Sequence, residues 1–230
     1  MALEIISLSV CVVLMIVFIA VRVVKGGVAG LLTKILASVA FVCAGILAVV
    51  TNGGGLGLGL IAMGLVMGLI GDIVLDLKVI YPESDYPYTN AGMLSFGIGH
   101  ILYAAGLSLL ANPSSNLLNC ILISLAIAIV LSILIMLSSK VLKLNFGKYF
   151  WQSFSYAVAL VFMAAYSIAL SLDLTIMYIA AVGFILFLLS DLVLSMQYFG
   201  DKLHNKALIT INHTLYYLAQ ISIVAFMFFV

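Results

Sequence analysis

Apolar stretches of about 20 residues, the length that crosses a hydrocarbon core as a helix, recur along this chain with short polar breaks between them. The breaks fall at glycine, asparagine, proline and serine clusters or at charges. They include Asn52 to Gly55, the PESDYPY run around Pro82, Asn112 to Asn116, and the GDKLHNK run before the last stretch. Eight segments remain, near 4–24, 31–51, 56–77, 90–111, 117–138, 150–171, 174–197 and 207–229. No linker is long enough to form a second domain, so residues 1–230 read as a single transmembrane domain. The pattern predicts an all-α integral membrane protein with eight transmembrane helices in one bundle. The first apolar run, Ile5 to Ala20, has no basic region before it and ends in Arg22 and Lys25. It reads as a retained span, not a secretory signal.

Composition agrees with this pattern. The chain is 66% hydrophobic and only 7% charged, against roughly a quarter charged in soluble domains. Too little polar surface exists to solvate a globule. Disorder, coiled coil, collagen and nucleic-acid binding are excluded as well, since each needs charge or repeat chemistry that is absent. Cys11, Cys43 and Cys120 fall inside apolar runs with no close spacing, so neither a disulfide framework nor a metal knuckle is expected.

Charge also gives a direction. The odd-numbered connections carry Arg22 and Lys25, then Lys78, then Lys140, Lys143 and Lys148, then Lys202 and Lys206, while Lys34 opens span two on the same side. All nine cations therefore map to one face, which the positive-inside bias makes cytoplasmic. Both termini are expected outside or in a lumen. Short loops favour a bacterial plasma membrane, with the endoplasmic reticulum as the other fit.

The two halves resemble each other at their rare polar positions. Gly71-Asp72-Ile73-Val74-Leu75-Asp76 in span three parallels Ser190-Asp191-Leu192-Val193-Leu194-Ser195 in span seven. In the following spans, Gly99-His100-Ile101-Leu102-Tyr103 parallels Asn212-His213-Thr214-Leu215-Tyr216. With four spans per half, the expected arrangement is a parallel 4+4 internal duplication about an axis along the membrane normal.

Of the eight acids, Glu4, Glu83, Asp85, Asp173 and Asp201 can reach water near loops or ends, whereas Asp72, Asp76 and Asp191 cannot easily do so. A carboxylate deep in a span costs roughly 2.5–3.5 kcal/mol on insertion scales, so it must face the bundle and find partners. Asp72 and Asp76 share a helix face with Gly64 and Gly68, small residues that allow a neighbouring helix to approach. The bland alternative is a structural hydrogen bond between helices, and for Asp76 the two readings weigh equally. His100 and Tyr103 share a face of span four, and a lone buried histidine is more often structural than a ligand. His213 lies in span eight with Tyr216 or Tyr217, then Gln220, on the following turns. Lys34 either snorkels to the interface or binds a lipid phosphate. Tyr156 reads as an interfacial anchor or a pocket residue. Lys34, Asp72, Asp76, His100, Tyr156, Asp191, Asn212 and His213 all fall toward the cytoplasmic side, which predicts a pocket opening to that leaflet or the cytosol. The histidines and aspartates could in principle suit zinc. No HExxH, cysteine pair or third intramembrane histidine appears, so no metal and no other cofactor is expected.

Four motifs then point to a family. Gly183-Phe184-Ile185-Leu186-Phe187-Leu188-Leu189-Ser190-Asp191 resembles the G-x-x-L-F-x-x-S-D segment of the lysoplasmalogenase-like (YhhN) family, and Ile70-Gly71-Asp72 resembles its apolar-Gly-Asp motif. The run from Phe96 to Tyr103 is similar to its G-x-x-x-H-x-x-Y helix, with Phe96 in place of the first glycine. Tyr216-Tyr217-Leu218-Ala219-Gln220 resembles its terminal Y-Y-L-A-Q. The family's Lys-Pro in span two is Lys34-Ile35 here, so the lysine is kept and the proline is not.

The resemblance implies hydrolysis of the vinyl ether bond of lysoplasmalogens to a fatty aldehyde and glycerophosphoethanolamine or glycerophosphocholine. The residues suit that reaction. Protonation of the alkenyl carbon gives an oxocarbenium ion, water attacks it, and the hemiacetal collapses. One protonated carboxyl and one ionised carboxylate can carry these steps, as in glycosidases. Asp72 and Asp191 are the expected catalytic pair, in an order left open, with His100 orienting a carboxylate or the water. Lys34 would meet the substrate phosphate, and Asp76, Tyr103, Tyr156, Asn212, His213, Tyr217 and Gln220 would complete a site for the lysophospholipid among membrane lipids. The competing classes are a small proton-coupled transporter or lipid-binding membrane protein, and a structural membrane partner. Headgroup preference and oligomeric state stay open.

Overall fold

A computed structural model describes residues 2–230. Eight long helices run in chain order: α1 (Ala2–Val24), α2 (Gly27–Thr51), α3 (Leu56–Ile80), α4 (Asp85–Leu110), α5 (Leu117–Leu142), α6 (Phe150–Ser171), α7 (Met177–Tyr198) and α8 (Lys206–Phe229). Each is long and apolar enough to cross a membrane, and there are no strands among the described residues. Single 3₁₀ turns, Pro82–Ser84 and Gly147–Tyr149, precede α4 and α6.

Several helices run past their expected limits, α2 from Gly27 among them, and α4 and α5 show the reason. α4 begins at Asp85 and not near 90, because Pro82 opens the 3₁₀ turn and Pro87 falls in the first helical turn. A first-turn N–H has no acceptor within its own helix, so proline costs nothing there. α5 continues to Leu142 because Ser138 and Ser139 turn their hydroxyls back onto the carbonyls of Ile135 and Met136 at 2.7 and 2.6 Å. Lys143 then stops it in the left-handed region at φ 56°. At its start, the Asn116 side chain accepts from the Asn119 N–H at 3.1 Å, a conventional N-cap.

The chain divides into two compact units. The first holds the chain up to Leu110 together with Gln220–Val230, and the second holds Ala111–Ala219. In the first, α1 packs on α2, α2 on α3, and α3 on α4. The Asn52 amide closes the end of α2, donating to the carbonyl oxygens of Ala48 and, at 2.7 Å, of Met227 on α8. In the second, α5 packs on α6 and α6 on α7.

The α3–α4 contact is a glycine seam. Gly57, Gly64 and Gly71 recur every seven residues on α3, as Gly92, Gly99 and Gly106 do on α4. The two rows meet in antiparallel register. A Cβ at Gly106 would stand 2.7 Å from the Gly57 carbonyl oxygen, and one at Gly99 would stand 3.2 Å from that of Gly64. Toward the other end, Gly71 receives the Phe96 ring and Gly92 receives Leu75. Water does not drive helices together in a bilayer, so backbone approach of this kind supplies the dispersion contact that does. A seven-residue repeat keeps the seam facing one partner along its length. It also fixes the rotation of α3 and α4, and with it the directions of Asp72 and Tyr103.

Candidate functional site

In the first unit, five side chains from three helices form one continuous polar chain. Arg22 of α1 donates to Oδ2 of Asp76 on α3. Oδ1 of that carboxylate accepts from Nζ of Lys34 on α2 at 3.2 Å. The same ammonium lies 3.1 Å from Oδ1 of Asp72, one helical turn before Asp76 on α3. Oδ2 of Asp72 accepts from the Ser38 hydroxyl of α2 at 2.5 Å. The spacing comes from the helix period: Asp72 and Asp76 stack on one face of α3, and Lys34 and Ser38 on one face of α2.

Two cations and two carboxylates make this chain electrically neutral, the condition under which charge survives away from water. Asp72 is 2%, Asp76 3% and Lys34 6% exposed. The Lys34 ammonium therefore sits between two carboxylates and does not snorkel. Arg22, which reads in sequence as a loop cation, keeps only 9% of its side chain exposed. Lys78 is likewise drawn in, onto Asp85 at 3.4 Å and the Thr89 hydroxyl at 3.2 Å. Arg22 and Lys34 are held in buried pairs, and Lys78 is itself buried although its partner Asp85 reaches the surface.

Tyr103 and Gln220 also meet in this unit. The tyrosine hydroxyl points at Oε1 of Gln220 at 3.4 Å, and both residues are buried. The Tyr103 ring lies against Gly64, where a Cβ would come within 2.5 Å of it. His100 stands edge-on to that ring at 6.0 Å and gives its Nδ1 to the Phe96 carbonyl oxygen at 2.7 Å. With the proton on Nδ1, the neutral ring offers Nε2 as an acceptor.

The second unit repeats several of these contacts. Oδ2 of Asp191 on α7 accepts from the Tyr156 hydroxyl of α6 at 2.6 Å, and Oδ1 lies 3.2 Å from the Ser190 hydroxyl. Asn212 of α8 donates to the Ser190 carbonyl oxygen at 2.7 Å. His213 gives Nδ1 to the Ile209 carbonyl oxygen at 2.8 Å. Tyr217 is buried and packs edge-on against Tyr216 at 5.1 Å. Asp72 thus stands in the first unit and Asp191 in the second, each receiving a hydroxyl from the helix before it.

The YhhN family model matches residues 29–227. The chain belongs to the YhhN family. That family includes lysoplasmalogenases. No curated protein and no solved structure matches the chain. The matched segment runs from α2 into the last turn of α8 and carries all the site residues expected from sequence; α1, with Arg22, lies outside it.

Arg22 and Ser38 escaped the sequence reading. Arg22 stands four residues before the glycine pair Gly26-Gly27, where a cation normally marks a loop. Ser38 is one small residue among several on α2. Helical spacing could have found it, since Ser38 follows Lys34 by one turn, as Asp76 follows Asp72.

Proposed function

We propose that this YhhN protein is an intramembrane hydrolase that cleaves the vinyl ether bond of lysoplasmalogens, releasing a fatty aldehyde and a glycerophospho-headgroup. The observation that supports it most is that two intramembrane carboxyl groups, Asp72 and Asp191, are each held by a hydroxyl from the preceding helix, in a family that includes lysoplasmalogenases. The Lys34 ammonium at 3.1 Å favours the carboxylate form of Asp72. The neighbours of Asp191 named above are hydroxyls, which accept as readily as they donate and so also tolerate a protonated Asp191. The reaction asks for this division of labour.

In this reading Asp191 delivers its proton to the alkenyl carbon β to the ether oxygen, and an oxocarbenium ion forms. The Asp72 carboxylate stabilises that cation electrostatically and takes a proton from the attacking water. The hemiacetal collapses, the C–O bond to glycerol breaks, and aldehyde and alcohol leave. His100, with Nε2 as acceptor, orients the water. Lys34 holds Asp72 in its ionised form, a role the ion pair supports more directly than contact with the lipid phosphate. Tyr103, Gln220, Tyr156, Asn212, His213 and Tyr217 shape the surroundings of the lipid.

Matching local geometry supports the parallel duplication. Ser38–Asp72 parallels Tyr156–Asp191, and His100–Phe96 parallels His213–Ile209. The cation distribution supports a cytoplasmic face for the connections that carry it, with both termini opposite. The test is direct: purified protein is incubated with a lysoplasmalogen and free aldehyde is measured. Aldehyde release supports the reading. Its absence with ethanolamine and choline substrates alike overturns it.

A further inference from the structure

We propose that Arg22, on the one helix outside the family's matched segment, is a positioning residue that neutralises Asp76 and so leaves Lys34 to hold Asp72. Without the guanidinium, the chain of contacts would have Lys34 as its one cation against two carboxylates a single turn apart. Lys34 is nearly equidistant from them, 3.1 Å from Asp72 and 3.2 Å from Asp76. Arg22 breaks that tie by taking the other oxygen of Asp76.

The guanidinium has a built seat. Its Cζ lies 5.6 Å from the centre of the Phe18 ring, a cation–π distance. It rests against α2 at Gly30, where a Cβ would stand 3.2 Å from Nη1 and 3.3 Å from Cζ and Nε. A cation meant for the water-facing loop would need neither the aromatic ring nor the missing side chain. The groups that face the two carboxylates include Arg22 from α1, Lys34 and Ser38 from α2, Tyr103 of α4 within electrostatic reach of Asp72, and Lys78 of α3 within electrostatic reach of Asp76 but itself paired with Asp85. Removing the guanidinium leaves one uncompensated negative charge among them. A buried site sheds such a charge by taking up a proton.

The kinetic consequence rests on the hydrolase reading; the protonation does not. Arg22→Met, Arg22→Lys and Arg22→Met/Asp76→Asn are purified in detergent and compared with the parent protein by infrared difference spectroscopy and by aldehyde release from a lysoplasmenylethanolamine. Arg22→Met is expected to gain a protonated-carboxyl band that is absent from the double variant, in which charge balance returns. Its kcat should fall on the order of tenfold to a hundredfold with KM little changed, as when a reacting group is misplaced from a distance. Arg22→Lys should lie between, and the double variant should regain part of the lost kcat. If Arg22→Met does not fold, the lysine and double variants carry the same comparison. An unchanged band pattern together with unchanged kcat would overturn the proposal. If the parent protein releases no aldehyde, the hydrolase reading fails, and the infrared band alone decides the role of Arg22.

Discussion

Replacing Gly106 by alanine tests whether the α3–α4 seam, and not general apolarity, sets the position of the site. The added methyl would stand 2.7 Å from the Gly57 carbonyl oxygen and 2.6 Å from Cγ1 of Ile61. The first of these is backbone and cannot rotate away. Overpacking of this kind costs about 1–3 kcal/mol. Alanine is also a better helix former than glycine by about 1 kcal/mol, which acts in the opposite direction. Gly97 on the same helix supplies the control, since a Cβ there meets nothing within 4 Å. Subtracting the effect of Gly97→Ala from that of Gly106→Ala removes the propensity contribution and leaves the steric one. The two variants should therefore differ by about 1–3 kcal/mol in unfolding free energy, measured by denaturant titration in mixed micelles with circular dichroism. Tyr103 sits one turn before Gly106 and packs on Gly64, so Gly106→Ala should also lower activity more than Gly97→Ala. Equal stability of the two variants would mean that the backbones do not meet at Gly57 and Gly106 and that the seam does not set the helix positions.

Lys34→Met removes the ammonium that Asp72 and Asp76 share and is expected to destabilise by about 3–5 kcal/mol, the cost of breaking a buried ion pair from one side. Lys34→Met/Asp72→Asn restores neutrality and should recover much of that loss in the same titration; strict additivity would contradict the ion pair. Tyr156→Phe removes the 2.6 Å hydroxyl contact to Asp191 and should reduce kcat by up to about tenfold, the rate equivalent of one hydrogen bond to a neutral carboxyl group. Asp191→Asn should lower it much further, and equal effects would place Tyr156 in the chemistry itself. Ser38→Ala should cost about 1.5–3 kcal/mol through the lost donor to Asp72, seen as a lower unfolding midpoint.

How legible these features were in sequence followed from how rare the informative residues are. Eight spans could be read because the bilayer demands a fixed length of apolar helix, and each interruption stands out against it. Asp72 and Asp191 could be singled out because hardly any other charge lies so deep. The limits of α4 and α5 were harder to read. Pro87 and the Ser138–Ser139 pair look like breakers, yet a first-turn position and back-bonded hydroxyls accommodate them. Arg22 was hidden by its place near a helix end, where only the three-dimensional path of α1 brings it to Asp76. The glycine seam was present in the numbering, with both rows repeating every seven residues, but one row has meaning only once its partner helix is known. The ion-pair chain is illegible for the same reason: spacing within a helix gives a face, not the neighbour that the face meets.

Whether this chain is a vinyl ether hydrolase is decided by aldehyde release from a lysoplasmalogen by the purified protein, beside its Asp72→Asn and Asp191→Asn variants, with folding of all three checked by circular dichroism. The parent protein is expected to release aldehyde, and both folded variants are expected to lose that release. No aldehyde from the parent, or full release from both variants, would contradict it.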